Sequence, residues 1–303
     1  MPTLQRSEPV LHGDPTRPAP LLMRSVTKTY DGAVDALDRV SLQVSRGSFL
    51  AVMGPAGSGK STLLHCAAGL DSPTSGEVRI GGTEVSRLDE ARRTALRRDR
   101  IGFVFQSYNL LPSLTVEENI RLPLRMSGAS ADRRWIGTLV KRTGLGPLLR
   151  RRPGELTGGE RQRAAIARSL ASRPEIVFAD EPTGGLGPDT AREVLGLLRD
   201  LVDEFAQSVV MVTSDPDAAA HAHATAVMAS GRIDRYFSRP TADELARSLA
   251  PLDALAENGP RTAPCGLSVR SRAERAPPRG DPGEVPRVTA LHLDTCRSRY
   301  CVS

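Results

Sequence analysis

The sequence predicts an α/β fold built on a mostly parallel, doubly wound sheet, and three observations predict it. Four short, nearly unbroken apolar runs stand out: Ser48–Met53 (SFLAVM), Ile101–Phe105 (IGFVF), Glu175–Ala179 (EIVFA) and Ser208–Thr213 (SVVMVT). Runs of this length suit strands buried on both faces. Helical patterns over Lys60–Ala68, Glu160–Ser172 and Pro188–Phe205 separate them. Strand–helix alternation of this kind gives crossovers between parallel strands. Finally, the length of 303 residues suits one or two domains.

Taken in order, residues 1–20 are polar and broken by proline, and read as a disordered arm. Residues 21–240 carry the alternating pattern. Between the first two apolar runs, Arg87–Arg100 holds six arginines and three acids. It reads as a solvated helical face or, more sharply, as a face apposed to anionic lipid headgroups. After the last run, Thr241–Ala250 reads as a short closing helix, with Thr241 as N-cap and Glu244 three residues on. The remainder of the 241–303 segment reads as a disordered tail: seven of the 53 residues from Pro251 onward are proline, with arginine interspersed.

Composition excludes several classes. No stretch of 18 apolar residues exists, so no transmembrane helix is expected. The first residues lack a signal peptide's apolar core. Cys66, Cys265, Cys296 and Cys301 lack metal-ligand spacing and read as reduced thiols of a cytosolic protein. The net charge of +6 argues for neither nucleic acid nor membrane. Only Lys28, Lys60 and Lys141 among 41 basic residues are lysine, which reads as the coding bias of a GC-rich bacterial genome.

The first apolar run leads into Gly54-Pro55-Ala56-Gly57-Ser58-Gly59-Lys60-Ser61-Thr62. This matches G-x-x-x-x-G-K-[ST], placed after a strand and before a helix. Glycines let successive N–H groups curl around a phosphate, and the new helix adds its positive end. Lys60 then reaches the β- and γ-phosphates of a nucleotide, and Ser61 offers a hydroxyl to Mg²⁺. The third run ends in Asp180-Glu181. Beside the first strand, Asp180 would approach that Mg²⁺ and Glu181 would orient and deprotonate an attacking water.

Leu156-Thr157-Gly158-Gly159-Glu160-Arg161-Gln162-Arg163, followed by Ala164-Ala165-Ile166-Ala167-Arg168, lies between these two motifs. It resembles the signature motif of ABC-transporter ATPases, and the order of motifs is that family's. Val104-Phe105-Gln106-Ser107-Tyr108-Asn109-Leu110-Leu111-Pro112 and Leu114–Asn119 look most like the lipoprotein-release, macrolide-export and cell-division subgroup. The resemblance spans about Leu22 to Tyr236. It implies a P-loop NTPase core, an N-terminal antiparallel β subdomain and a helical subdomain at about 107–172. It also implies ATP and Mg²⁺, and head-to-tail pairing in which the Thr157–Glu160 segment of one subunit closes the other's ATP site. The pair would be a homodimer or a heterodimer with a sister ATPase. Gln106 would bridge Mg²⁺ and the transporter contact. Tyr30, which as a lone tyrosine reads as core packing, would stack on adenine. The partner implied is an integral membrane permease at the cytoplasmic face, without direct nucleic-acid contact.

Departures bear on turnover. Thr157 and Arg161 replace the family's usual Ser and Gln, both mild changes. Gly187 stands where the family has an interface-crossing Asp, and Ser214 where it has the histidine that contacts the γ-phosphate. His221 and His223 are the nearest imidazoles in sequence. With Glu181 intact, the expectation is slowed rather than absent hydrolysis.

Overall fold

The computed structural model describes residues 18–30, 34–128 and 132–258. The chain divides into two units, Met1–Glu257 and Asn258–Ser303. Most of the expected N-terminal arm, and the tail beyond Asn258, lie outside the described residues.

Two sheets organise the first unit. A four-stranded antiparallel sheet runs β2-β1-β4-β5, with β1 Leu21–Tyr30, β2 Val34–Val44, β4 Ser75–Ile80 and β5 Thr83–Glu84. A six-stranded sheet runs β10-β9-β3-β8-β7-β6. It comprises β3 Phe49–Met53, β6 Ile101–Phe105, β7 Ile176–Asp180, β8 Val209–Thr213, β9 Ala224–Ala229 and β10 Arg232–Ser238. Neighbours from β9 to β6 are parallel, and only the edge pair β10–β9 is antiparallel. The four predicted runs are β3, β6, β7 and β8, each within one residue of its expected bounds.

The apolar runs are continuous because alternate residues enter two different cores. Phe49, Ala51, Met53, Val177, Ala179, Val209 and Met211 join one cluster. Their neighbours Leu50, Val52, Ile176, Phe178, Val210 and Val212 join the other. Helix α1 (Lys60–Ala67) buries Leu63, Leu64, Cys66 and Ala67 in the second cluster, beneath the antiparallel sheet. Helices α3 (Val116–Ser127), α4 (Arg133–Arg142), α5 (Gly158–Leu170) and α6 (Pro188–Phe205) bury their apolar stripes in the first. Thus α1 and α5 lie on opposite faces of the six-stranded sheet.

Local chemistry sets the helix starts. Thr115 with Glu118 and Thr157 with Glu160 form capping boxes at α3 and α5. Asp89 accepts from the Arg92 N–H at 2.8 Å to start α2 (Glu90–Arg100). Helix α6 opens with Gly187 at its N-cap and Pro188 behind it, and the short α7 (Pro216–Ala220) is capped by Asp215. The closing helix α8 (Ala242–Asn258) is longer than expected. Thr241 and Glu244 cap it as predicted, but it runs through Pro251. Leu245 and Leu249 are buried in the first cluster and Leu252 packs against it, which offsets the one hydrogen bond that proline removes.

Cys66 is buried, and burial pushes its thiol up to about 12, so it stays protonated. The other three cysteines lie outside the described residues.

Candidate nucleotide site

The parallel register brings the predicted groups together at one edge. Met53 pairs with Thr213, Val212 with Asp180 and Asp180 with Phe105. The residues that follow, Gly54, Ser214, Glu181 and Gln106, therefore leave the carboxyl ends of four adjacent strands, where open α/β sheets bind ligands.

The loop Gly54–Gly59 joins β3 to α1. Gly57 has φ +75° and Gly59 φ +99°, in the left-handed region that favours glycine. A Cβ at Gly59 would also lie 2.3 Å from the Ala36 carbonyl, and one at Gly54 2.2 Å from the Met228 carbonyl. The loop is thus clasped between β2 and the end of β9. The Lys60 ammonium reaches back along the loop and donates to the Gly54 and Pro55 carbonyls at 2.8 and 2.9 Å.

This loop fits a phosphate. Helix α1 has no side-chain cap, so its first N–H groups need acceptors from outside the helix. The Ser58 hydroxyl beside them is buried without a hydrogen-bond partner among the described residues. The donor set also fits a hard divalent cation. Burial pushes the Asp180 carboxyl above its usual range, against the opposing charges of His65 and Lys60, and Glu181 adds to the rise. A half-buried carboxylate so raised gains most from a nearby cation. Ser61, exposed on the first turn of α1, is the neighbouring oxygen donor. No cluster of three or more His, Cys, Asp or Glu forms a ready-made metal cage among the described residues, so phosphate and water oxygens would complete the shell.

Glu181 has φ +41°, a strained conformation for a non-glycine residue. Three donors fix its carboxylate: the Thr213 hydroxyl at 3.0 Å, the Ser214 N–H at 2.8 Å and the Ser214 hydroxyl at 3.0 Å. The structure thus gives Ser214 a specific role, as a grip on Glu181. The Gln106 amide packs on Gly184: a Cβ there would be 2.4 Å from Nε2. His223 is not a substitute imidazole. Its Nδ1 accepts from the Phe49 N–H at 2.9 Å, at the far end of β3 from the loop, and its Nε2 lies 3.1 Å from Asp203. His221 Nδ1 is engaged with the Asp217 carbonyl. Gly187 is exposed at the N-cap of α6 and contributes no side-chain cap.

Thr157, Gly158, Gly159 and Glu160 open α5, on the face of the sheet away from α1. Gly158 is close-packed by Leu186 and Tyr108, and Gly159 by Thr190. Gln162, fully buried, donates to the Pro182 carbonyl, and Arg168 donates to the Tyr108 carbonyl at 2.9 Å. Helix α5 is therefore tied both to the turn after Glu181 and to the loop after Gln106.

Tyr30 ends β1 beside the first turn of α1, within reach of Thr62. Its hydroxyl donates to Asp71 at 2.9 Å, and Lys28 lies 4.8 Å from its ring centroid. Lys28 also donates to Asp71 at 2.7 Å and to the Ser72 carbonyl at 2.9 Å. Burial and the Asp71 contact push the Tyr30 hydroxyl up to about 12. Sequence reasoning missed Lys28, Asp71, His65 and Thr213. The one available signal was that Lys28 is a rare lysine in an arginine-rich chain. A compact ammonium suits a site with two oxygen acceptors and a ring face.

Fold and site together define the P-loop class of nucleotide-binding ATPases. More narrowly, the chain belongs to the ATP-binding family of ABC transporters. The ABC transporter family model matches residues 37–184. The lipoprotein-releasing system ATP-binding protein LolD of Psychrobacter arcticus is 43% identical over 219 residues, covering 70% of this chain and 96% of its own length. The macrolide export ATP-binding/permease protein MacB 1/2 of Paracoccus denitrificans is 43% identical over 233 residues. That match covers 74% of this chain but only 35% of that relative, so the chain spans about a third of its length. Among solved structures, the dimeric post-hydrolysis state of the ATP-binding cassette MJ0796 bound to ADP and Pi matches with a TM-score of 0.65. It is 38% identical, covering 73% of this chain and 99% of that one.

Proposed function

We propose that this chain binds and hydrolyses MgATP to energise a separate membrane permease of an export system, at the cytoplasmic face of the membrane. Lipoprotein release and macrolide export are the activities two of its relatives are named for, and peptide efflux is a further class within the same reading. The observation that carries the proposal is the convergence of the Gly54–Lys60 loop, Ser214, Asp180, Glu181 and Gln106 at the ends of four neighbouring strands. No helix among the described residues is long and apolar enough to cross a membrane, which is consistent with a permease on another chain.

In this reading Lys60, Thr62 and the α1 N–H groups bind the phosphates, and Tyr30 stacks on adenine. Ser61, Asp180 and Gln106 hold Mg²⁺, which neutralises phosphate charge when bound. Glu181 takes a proton from the attacking water. Thr157, Gly158, Gly159 and Glu160 cannot serve the nucleotide on their own subunit's α1, because α5 occupies the opposite face of the sheet. They close the site of a second subunit, either another copy or a sister ATPase. Gly187 and Ser214 slow turnover. The same two residues favour a second reading, a nucleotide-gated regulatory or cell-division-type subunit with little hydrolysis.

The test is affinity capture from solubilised membranes of the source cell, combined with ATP binding by the purified chain. The expected result is a co-purifying permease, and Mg²⁺-dependent ATP binding that Lys60→Ala abolishes. Capture without a permease, with ATP bound but not turned over, would favour the regulatory reading. ATP binding indifferent to Lys60→Ala would refute both.

The Lys28–Asp71–Tyr30 contact carries a further expectation. Lys28→Met should weaken ATP binding about two- to fivefold, from the ~0.5–1 kcal/mol of such a cation–ring contact. Affinity for inorganic tripolyphosphate, which lacks a base to stack, should not change. Equal weakening of both ligands in titration calorimetry would mean that Lys28 acts on the loop rather than through Tyr30.

A further inference from the structure

The arginines of this chain fall into two populations. In the Arg87–Arg100 stretch all six lie within 3.6 Å of a carboxylate: Arg87 with Glu84, Arg92 with Asp89, Arg93 and Arg97 with Glu90, Arg98 with Asp99, and Arg100 with Glu175. Arg97 also donates to the Gly69 carbonyl at 2.5 Å. That stretch is ion-paired throughout, with Glu84 and Glu175 supplied from outside it, and it offers no unpaired arginine to the lipid headgroups its sequence suggested.

The segment 107–172 differs. It holds twelve basic residues against five acidic ones, a surplus larger than that of the whole chain. Arg125, Arg150, Arg151 and Arg152 are exposed, and among the described residues none closes an ion pair. Three of the acids in this segment are turned to the backbone. Glu118 accepts from the Thr115 N–H at 2.8 Å, Glu155 from the Arg152 N–H at 2.7 Å and Glu160 from the Thr157 N–H at 2.7 Å. Each carboxylate completes a helix start, and none of the three closes an ion pair with Arg125, Arg150, Arg151 or Arg152, although Arg125 and Arg152 act on Glu118 and Arg151 on Glu160 at longer range. Arg150–Arg152 adjoin the start of α3, and Arg125 lies in the last turn of that helix. The Val116 and Glu117 N–H groups donate to the Arg151 and Leu149 carbonyls at 2.8 and 3.0 Å, joining the Arg150–Arg152 turn to the start of α3. Arg125 and Arg152 both act electrostatically on Glu118. Next to Arg125, Met126 is 65% exposed, the most exposed of the large apolar side chains described.

We infer that Arg125 and Arg150–Arg152, at the two ends of α3 and with Met126 beside Arg125, form a surface that binds anionic phospholipid headgroups directly. Exposed guanidiniums that close no ion pair, on the same face as an exposed apolar side chain, are the pattern of an interfacial membrane contact. Arginine also presents the planar fork that matches phosphate oxygens. This contact goes beyond the proposed function and needs no permease.

The test is co-sedimentation of the full-length chain with vesicles of phosphatidylcholine alone, or with about a third of the lipid replaced by phosphatidylglycerol. The expected result is binding to the anionic vesicles that weakens with salt. Neutralising Arg150 and Arg151 to Gln should lower the partition coefficient about fivefold each, the equivalent of ~1 kcal/mol per basic residue. Arg92→Gln with Arg98→Gln, equal in charge lost but taken from the paired stretch, should leave binding unchanged; thermal melting shows that each variant is folded. Binding that ignores the Arg150 and Arg151 changes, or falls equally in both double variants, overturns the inference. So would intact vesicle binding with lost permease capture, which would make this a protein-docking surface.

Discussion

Glu181→Gln is expected to lower steady-state ATP hydrolysis by about 10²–10⁴-fold, the range of a positioned general base, while ATP binding survives. The amide matches the carboxylate in shape: its carbonyl oxygen can take the place of Oε1 beneath the Ser214 N–H and hydroxyl, while the Thr213 hydroxyl, which donates to Oε2, turns to accept from the new amide N–H. In the proposed function the phosphate contacts lie on α1 and its loop, which do not depend on this side chain. Affinity should therefore stay within a few-fold of wild type while turnover collapses. If two subunits sandwich the nucleotide, the variant should also accumulate as an ATP-dependent dimer, visible by size exclusion with light scattering. Hydrolysis persisting in the variant at a wild-type rate would remove Glu181 from the chemistry.

Ser214→His is expected to raise turnover by as much as about 10²-fold. One pre-organised donor aimed at developing charge is worth roughly 10²–10³ in rate. A serine hydroxyl is too short to serve that purpose while it holds Glu181. The substitution keeps the Ser214 N–H contact, at 2.8 Å to Glu181 Oε1, and leaves the Thr213 hydroxyl in place on the other oxygen. The base stays held and an imidazole is added. The measurement is kcat of the purified chain with and without the change. A fast wild type that the histidine does not improve would show that turnover is not slowed at this position.

Much of this was legible in the sequence, wherever the signal is contiguous. The loop from Gly54 to Ser61 is one uninterrupted string, and the conformations it requires at Gly57 and Gly59 occur. The four strand runs were legible because residues buried on both faces leave no polar interruptions. Thr157 with Glu160 and Thr241 with Glu244 were legible because a cap is decided within four residues. The strands β9 and β10 were not singled out. Alanines supply half of β9, and an edge strand such as β10, exposed at Arg232, Asp234 and Arg235, has no continuous apolar run to read.

The arginine tally shows where local reading fails. Counted along the chain, Arg87–Arg100 is the basic stretch. Folded, Glu84 and Glu175 arrive from β5 and from the edge of β7 to pair with it. The acids near Arg150–Arg152, in contrast, are turned to backbone N–H groups at helix starts and close no ion pair with them.

The sequence by itself determined the nucleotide chemistry of this protein: a phosphate loop, an acidic strand end and a signature helix, each encoded by neighbours along the chain. Only the tertiary structure decided which groups meet across it. It set Lys28 and Tyr30 on Asp71, Ser214 on Glu181, and α5 on the sheet face opposite α1. The physical reason is that these contacts join residues 33 to 43 positions apart, whose meeting depends on strand order, and that the side on which a helix lies depends on which core each face of the sheet buries. Neither is written in any local stretch.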